Sequence, residues 1–140
     1  MKTRIMLFGT FDMIHEGHEA FFREARSLAP EPFLIASIAR DASVLRIKGR
    51  LPRNDEDVRR RAVESHLLID RAVLGDAEGY VPHIVAEDPH VIVLGYDQEG
   101  EYVVHLAKDL ARHGLTPRIV RLSPHQPDIF KTSKLAPGVS

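Results

Sequence analysis

The chain contains no cysteine. That excludes disulfides, thiolate metal sites and a cysteine nucleophile. No apolar run is long enough to cross a bilayer. No basic-then-apolar leader precedes Ile5, so no secretory signal is expected and a cytoplasmic protein is. An excess of charge of one sign is also lacking. The 19 Lys and Arg and 20 Asp and Glu leave a formal net charge of -1, which gives no overall pull toward nucleic acid or membrane. Neither a GxxxxGK[ST] loop nor a GxGxxG turn occurs, so by motif the chain is neither a P-loop NTPase nor a dinucleotide-dependent dehydrogenase. Repeats, low-complexity tracts and linkers are missing as well, and 140 residues suit one domain spanning 1–140.

What is present is an alternation of short apolar runs with amphipathic stretches. Residues 4–8, 33–39, 71–74, 91–94 and 118–122 read as strands, several of them apolar throughout. Residues 16–28 have helical spacing, with Ala20, Phe21, Ala25 and Leu28 on one side, and Pro30 and Pro32 end them. Asn54 or Asp55 can cap a helix to about His66. Pro82 suits the first turn of a helix ending near Glu87, and residues 99–113 form a helix that Gly114 stops. Residues 40–54, with Gly49 and Pro52, read as a polar loop. Strands apolar on both faces and separated by helices predict an α/β fold: one doubly wound, five-stranded parallel sheet with helices on both faces. Ligands of such sheets bind beyond the carboxyl ends of the strands. GTFD, ARD, LGD and GYDQ follow the first four strands in turn, so polar and glycine-bearing segments recur at that edge.

The first of these edges is the richest. GTFDMIHEGH, residues 9–18, puts a glycine turn, an acid and two histidines at the start of a helix. Gly9 permits close approach or a left-handed backbone. Thr10 offers a hydroxyl and an N–H. His15 and His18 share a helical face, Gly17 leaves room for a polyanion, and the helix N-terminus attracts negative charge. Two imidazoles there can donate to phosphate oxygens. Two solvated surface histidines, or a zinc pair, fit the decapeptide too, although HEGH lacks the HExxH spacing and no third ligand is evident. Positive charge crowds a later segment holding Arg46, Lys48, Arg50, Arg53, Arg59, Arg60 and Arg61. There Arg59 falls on the inward stripe of Ala62, Val63 and His66, Arg60 pairs at i, i+4 with Glu64, and Arg61 points outward. His66, His83, His90, His105, His113 and His125 show no ligand spacing and read as surface or core residues.

With its glycine turn and HxGH in this order, the chain resembles the cytidylyltransferase-like nucleotidyltransferase superfamily, whose pattern GxFDxxHxGH is matched by GTFDMIHEGH. ARDASV, GYDQ and KTSKL resemble the archaeal-type FAD synthases in particular, and glycerol-3-phosphate cytidylyltransferases are similar in length and layout. The resemblance implies a Rossmann-like fold and transfer of a nucleoside monophosphate from a triphosphate to a phosphorylated acceptor, with release of pyrophosphate. It implies ATP and FMN as substrates, Mg²⁺ carried with the triphosphate, and a homodimer. Gly9, Thr10, Phe11 and Gly17 would line the nucleotide site. His15, His18, Lys48 and Arg59 would act on the triphosphate. Asp12 would organise the turn or help place a metal or the acceptor. Gly95, Tyr96, Asp97 and Gln98 would recognise base and ribose, and Lys131, Thr132 and Ser133 would hold the β- and γ-phosphates. Only seven residues follow Ser133, so by this resemblance the C-terminal helix usual in relatives shrinks to about a turn, and either part of the acceptor site is lacking or a partner chain completes it. The competing readings are a CTP-dependent enzyme acting on glycerol 3-phosphate or a similar alcohol phosphate, a nucleotide-binding module without catalysis, and a zinc domain built on HEGH.

Overall fold

The computed structural model of the chain describes residues 1–95 and 101–122. In order it forms β1 (Thr3–Gly9), α1 (Glu16–Arg26), β2 (Pro32–Ile38), α2 (Asp41–Lys48), α3 (Glu56–Glu64), β3 (Arg71–Leu74), α4 (Val81–Glu87), β4 (Val91–Leu94), α5 (Glu101–Ala111) and β5 (Arg118–Arg121). The strands make one five-stranded sheet in the order β3-β2-β1-β4-β5, and every pairing is parallel. The chain builds outward from β1 to β3, returns across β1, and builds outward again through β4 and β5. The order therefore reverses between β1 and β4, where such a sheet opens a crevice at its carboxyl edge.

Both faces are covered, which is why the strands read as unbroken apolar runs. On one face Phe22 and Ala25 of α1 and Val63 of α3 pack over Ile5, Leu7, Leu34, Ala36, Ala72 and Val93. On the other, Ile84 of α4 and Leu106 and Leu110 of α5 pack over Met6, Ile35, Ile92 and Leu94. Ile5, Met6 and Leu7 are fully buried in succession, as a central strand requires. Each such side chain contributes about 2 kcal/mol by leaving water.

The stretch 40–54, expected as loop, corrects the sequence reading: Asp41–Lys48 is helical. Its N-cap, Arg40, makes no side-chain capping bond, and Val44 is its one buried residue. The cap comes from elsewhere. Glu56 Oε1 accepts the Asp41 N–H at 2.8 Å, and Asp41 Oδ2 accepts the Glu56 N–H at 3.2 Å. The two helices α2 and α3 thus cap each other across fifteen residues. Gly49, at φ 78°, then ends α2 in the left-handed conformation.

The sheet ladder continues past the strand ends. Gly9 C=O accepts Ala39 N–H, Ile38 C=O accepts Gly75 N–H, and Leu94 C=O accepts Leu122 N–H. The residues that follow β2, β3 and β5 are thereby held to the ends of β1, β2 and β4 at the carboxyl edge. The β1–β4 register pairs Leu7 with Val93; carried two residues on, it sets Gly9 beside Gly95.

Candidate active site

The N-terminus of α1 is capped by the two motif histidines themselves. His15 is the N-cap, and its Nδ1 accepts the Gly17 N–H at 3.1 Å. His18, three residues on, turns its Nδ1 back to accept the His15 N–H at 3.2 Å. This is a capping box with imidazoles in place of the usual hydroxyl and carboxylate. A backbone N–H can only donate, so both Nδ1 atoms carry lone pairs, and in the neutral rings the proton sits on Nε2. The rings stack with centroids 3.9 Å apart and planes 27° from parallel. His15 Nε2 is buried without a hydrogen-bond partner among the described residues. Burial pushes the His15 pKa below its ordinary value of 6.5. At neutral pH His15 is therefore a neutral ring with an N–H donor, at the end of a helix that favours anions.

The glycines and the phenylalanine of the motif serve this arrangement from below. Phe11 takes a left-handed backbone (φ 52°), and its ring is 2% exposed. It meets His18 at 5.2 Å and Phe22 at 5.7 Å between centroids. Phe11 is a floor beneath His18 rather than an open wall of the site. A Cβ on Gly9 would come within 2.7 Å of the Phe11 ring, and a Cβ on Gly17 would lie 3.0 Å from His15 Cε1. A side chain at either glycine would therefore meet the protein's own rings.

Asp12 and Arg59 tie the motif to the neighbouring loops. Asp12 accepts the N–H of Arg53 at 2.7 Å, the N–H of Asn54 at 2.8 Å and the side-chain amide of Asn54 at 3.2 Å. Burial alone would raise the Asp12 pKa. The backbone bonds from Arg53 and Asn54, the Asn54 amide and the charge of Arg59 outweigh it, and the net shift is downward. Arg59 is 1% exposed. Its Nε donates to Asn54 C=O, its Nη1 to both Thr10 C=O and Ala39 C=O at 2.8 Å, and its Nη2 to Asp41 at 2.7 Å. One guanidinium thus links the ends of β1 and β2 with the starts of α2 and α3. It faces inward as the helical stripe predicted, but the protein itself takes up its donors. Arg60 bonds Glu64 at 2.9 Å, and Arg61 is exposed.

Lys48 lies at the end of α2 rather than in a loop, and it is exposed. Gly95 follows β4 directly, and its carbonyl accepts Arg121 Nη1 at 3.0 Å. Tyr96, Asp97, Gln98, Lys131, Thr132 and Ser133 lie outside the described residues, as does His125. Among the described residues no three His, Asp or Glu side chains gather as a metal site.

Sequence reasoning missed one polar constellation. Ser37 Oγ lies 2.8 Å from His83 Nε2, and His83 Nδ1 lies 2.7 Å from Asp76. A carboxylate can only accept, so His83 carries its proton on Nδ1 and accepts the Ser37 hydroxyl. Ser37 is 4% exposed, which withholds that hydroxyl from a substrate. The group braces β2 against the β3–α4 turn. Its members are too far apart in sequence for any spacing to have revealed it. His66, read as a surface or core residue, donates Nε2–H to Glu19 at 3.1 Å and so ties the segment after α3 to α1.

The chain matches the family described as Cytidylyltransferase-like over residues 6–131. It is 38% identical to an FAD synthase of Aciduliprofundum boonei over 133 residues, covering 94% of this chain and 87% of that one. It is 36% identical to an FAD synthase of Thermoplasma acidophilum over 130 residues, covering 93% and 89%. Among solved structures, a lipopolysaccharide core biosynthesis protein of Thermoplasma volcanium superposes with a TM-score of 0.79 at 31% identity, covering 89% of this chain and 98% of that one. A protein of unknown function from Archaeoglobus fulgidus shares the fold, with a TM-score of 0.66 at 16% identity, covering 88% and 91%. A parallel sheet with reversed order, a histidine-capped helix at its switch point and a family match spanning most of the length agree with one another, and the chain belongs to the cytidylyltransferase-like family.

Proposed function

We propose that this protein is an FAD synthase, transferring AMP from ATP to FMN with release of pyrophosphate. The observation that carries the reading is His15 Nε2, a buried N–H donor with no partner among the described residues, at the N-terminus of α1. Leaving such a donor unmade costs about 1–3 kcal/mol, a cost that a phosphate oxygen of the nucleotide relieves. The names of the two curated relatives supply the substrates.

An oxygen of the FMN phosphate attacks the α-phosphorus of ATP. The bond from that phosphorus to the oxygen bridging to the β-phosphate breaks, and pyrophosphate departs. No covalent enzyme intermediate is needed, so the protein's task is positioning and stabilising charge. His15 and His18 donate Nε2–H to phosphate oxygens as negative charge builds there. The backbone N–H groups that cap on Nδ1 keep the proton on Nε2 in the neutral rings, so the donors work without a charged imidazolium. Phe11 supports the His18 ring. Lys48 reaches the triphosphate from the end of α2. Asp12 and Arg59 act as positioning residues, holding the β1–α1 turn to the α2–α3 connection. Gly95, Tyr96, Asp97 and Gln98 read base and ribose, while Lys131, Thr132 and Ser133 hold the outer phosphates. Mg²⁺ carried by the triphosphate's own oxygens would offset part of its charge. A homodimer and a cytoplasmic setting accompany this reading.

The test crosses ATP and CTP with FMN and glycerol 3-phosphate and follows pyrophosphate release. Turnover with ATP and FMN is expected. Turnover of CTP alone would remove the flavin reading in favour of a cytidylyltransferase.

A further inference from the structure

One exposed surface beside the α1 motif combines apolar and cationic side chains. Met13 is 62% exposed, Leu51 61% and Ile47 76%. Hydrogen bonds to the backbone bring the segments of Met13 and Leu51 together. Asp12, next to Met13, holds the N–H groups of Arg53 and Asn54, so the connection after Leu51 lies against the turn that carries Met13. Met13 is two residues from His15, and Leu51 is two from Arg53, so the Cα atoms of each pair are within about 7 Å. Ile47 lies in the last turn of α2, before the left-handed Gly49. Lys48, the last residue of α2, and Arg50 and Arg53 on the connection after it are exposed. Three nearby acids are engaged, Asp12 with Arg53 and Asn54, Asp41 with Glu56 and Arg59, and Asp55 with Val58, while Glu16 and Asp57 are exposed in the first turns of α1 and α3.

A second copy of the chain seated face to face here would set these cations against themselves, which costs binding. The chemistry asks for an anion that also carries a broad apolar face. ATP is the poorer match, because its triphosphate belongs at His15 and His18. FMN has both parts: a phosphate, and a flat ring system on a ribityl arm that lets the ring lie away from the reacting phosphorus. Methionine suits such a ring through its polarisable, adaptable thioether. We infer that Met13, Ile47 and Leu51 form the platform for the isoalloxazine ring of FMN, with Arg50 and Arg53 drawing in its phosphate. This inference rests on the FAD synthase reading of the same site.

The test is steady-state kinetics with FMN and ATP varied in turn, on wild type, Met13→Ser, Leu51→Ser and Arg53→Gln. Leu67→Ser serves as control, since Leu67 is 98% exposed in the connection between α3 and β3. Wild type forms FAD. The three site variants raise KM for FMN by roughly tenfold, while kcat and KM for ATP stay within about twofold, and the control changes nothing. Equilibrium binding of FMN alone, read by flavin fluorescence, weakens in parallel. FAD formation by wild type with KM for FMN unmoved in all three variants overturns the platform and leaves the FAD synthase reading standing. Equal rises in KM for ATP and FMN also overturn it, since they mean the turn itself is deformed. If phosphatidylserine vesicles retain wild type but not Met13→Ser or Leu51→Ser, and KM for FMN is unchanged, the face is a lipid contact instead. Absence of FAD formation by wild type defeats both readings together.

Discussion

His15 and His18 stack 3.9 Å apart, and each ring spends its Nδ1 on a backbone N–H of its own helix terminus. One pair of side chains therefore both starts α1 and fixes which ring nitrogen carries the proton. Capping and donation use different nitrogens, so they can be separated by mutation.

His15→Asn retains a good N-cap acceptor and withdraws Nε2–H. Stability is expected within about 1 kcal/mol of wild type, while kcat falls on the order of a hundredfold. Denaturant unfolding beside FAD-forming kinetics checks this. Unchanged kcat in a folded variant would take His15 out of the chemistry.

Arg59→Lys removes the planar fork that joins Thr10, Ala39, Asn54 and Asp41. Lysine cannot reproduce that geometry. A loss of about 2–4 kcal/mol is expected, because buried carbonyls lose their donors. The midpoint of urea unfolding measures it. A variant as stable as wild type would show that the network is incidental and reopen Arg59 as a phosphate ligand.

Gly9→Ala drives a Cβ to 2.7 Å from Phe11 Cζ. Overpacking of this kind costs about 1–3 kcal/mol. Phe11→Leu in the same chain relieves part of the clash, so the double variant is expected to lose less than the sum of the two single losses. Additive losses in thermal unfolding would mean the two residues do not interact.

Acid weakens the site through His15 first. Its folded pKa lies below 6.5, so the unfolded chain takes up the proton at a higher pH than the folded one. Its contribution is full above that value, and stability falls as pH drops through and below it. Asp12, held below 3.8, acts in the same direction at lower pH: its contribution is present above 3.8 and is lost as pH falls through its folded value. Unfolding free energies at pH 7.5, 6.5 and 5.5 are expected to decline, and His15→Asn is expected to flatten the decline. An unchanged slope in that variant would contradict the assignment.

The sheet was legible in the sequence because both of its faces are covered. β3 and β4 coincide with the apolar runs at 71–74 and 91–94. The inward stripe of α3 was legible for the same reason, since helical period separates Arg59 from Arg60 and Arg61. What Arg59 touches was not, because Thr10 and Ala39 lie 49 and 20 residues away in sequence. α2 was hidden because its cap is Glu56, on another helix. The glycines of GTFDMIHEGH were read for close approach of a ligand, and the groups that crowd a Cβ there are Phe11 and His15 of the same chain. No pattern announces that. Ser37, Asp76 and His83 meet only because β2, β3 and α4 converge.

The most direct test is formation of FAD itself. Purified protein with Mg²⁺, ATP and FMN is expected to yield FAD and pyrophosphate in equal amounts, and none when CTP and glycerol 3-phosphate replace them. Turnover of CTP with glycerol 3-phosphate, and no FAD from ATP and FMN, would contradict the account.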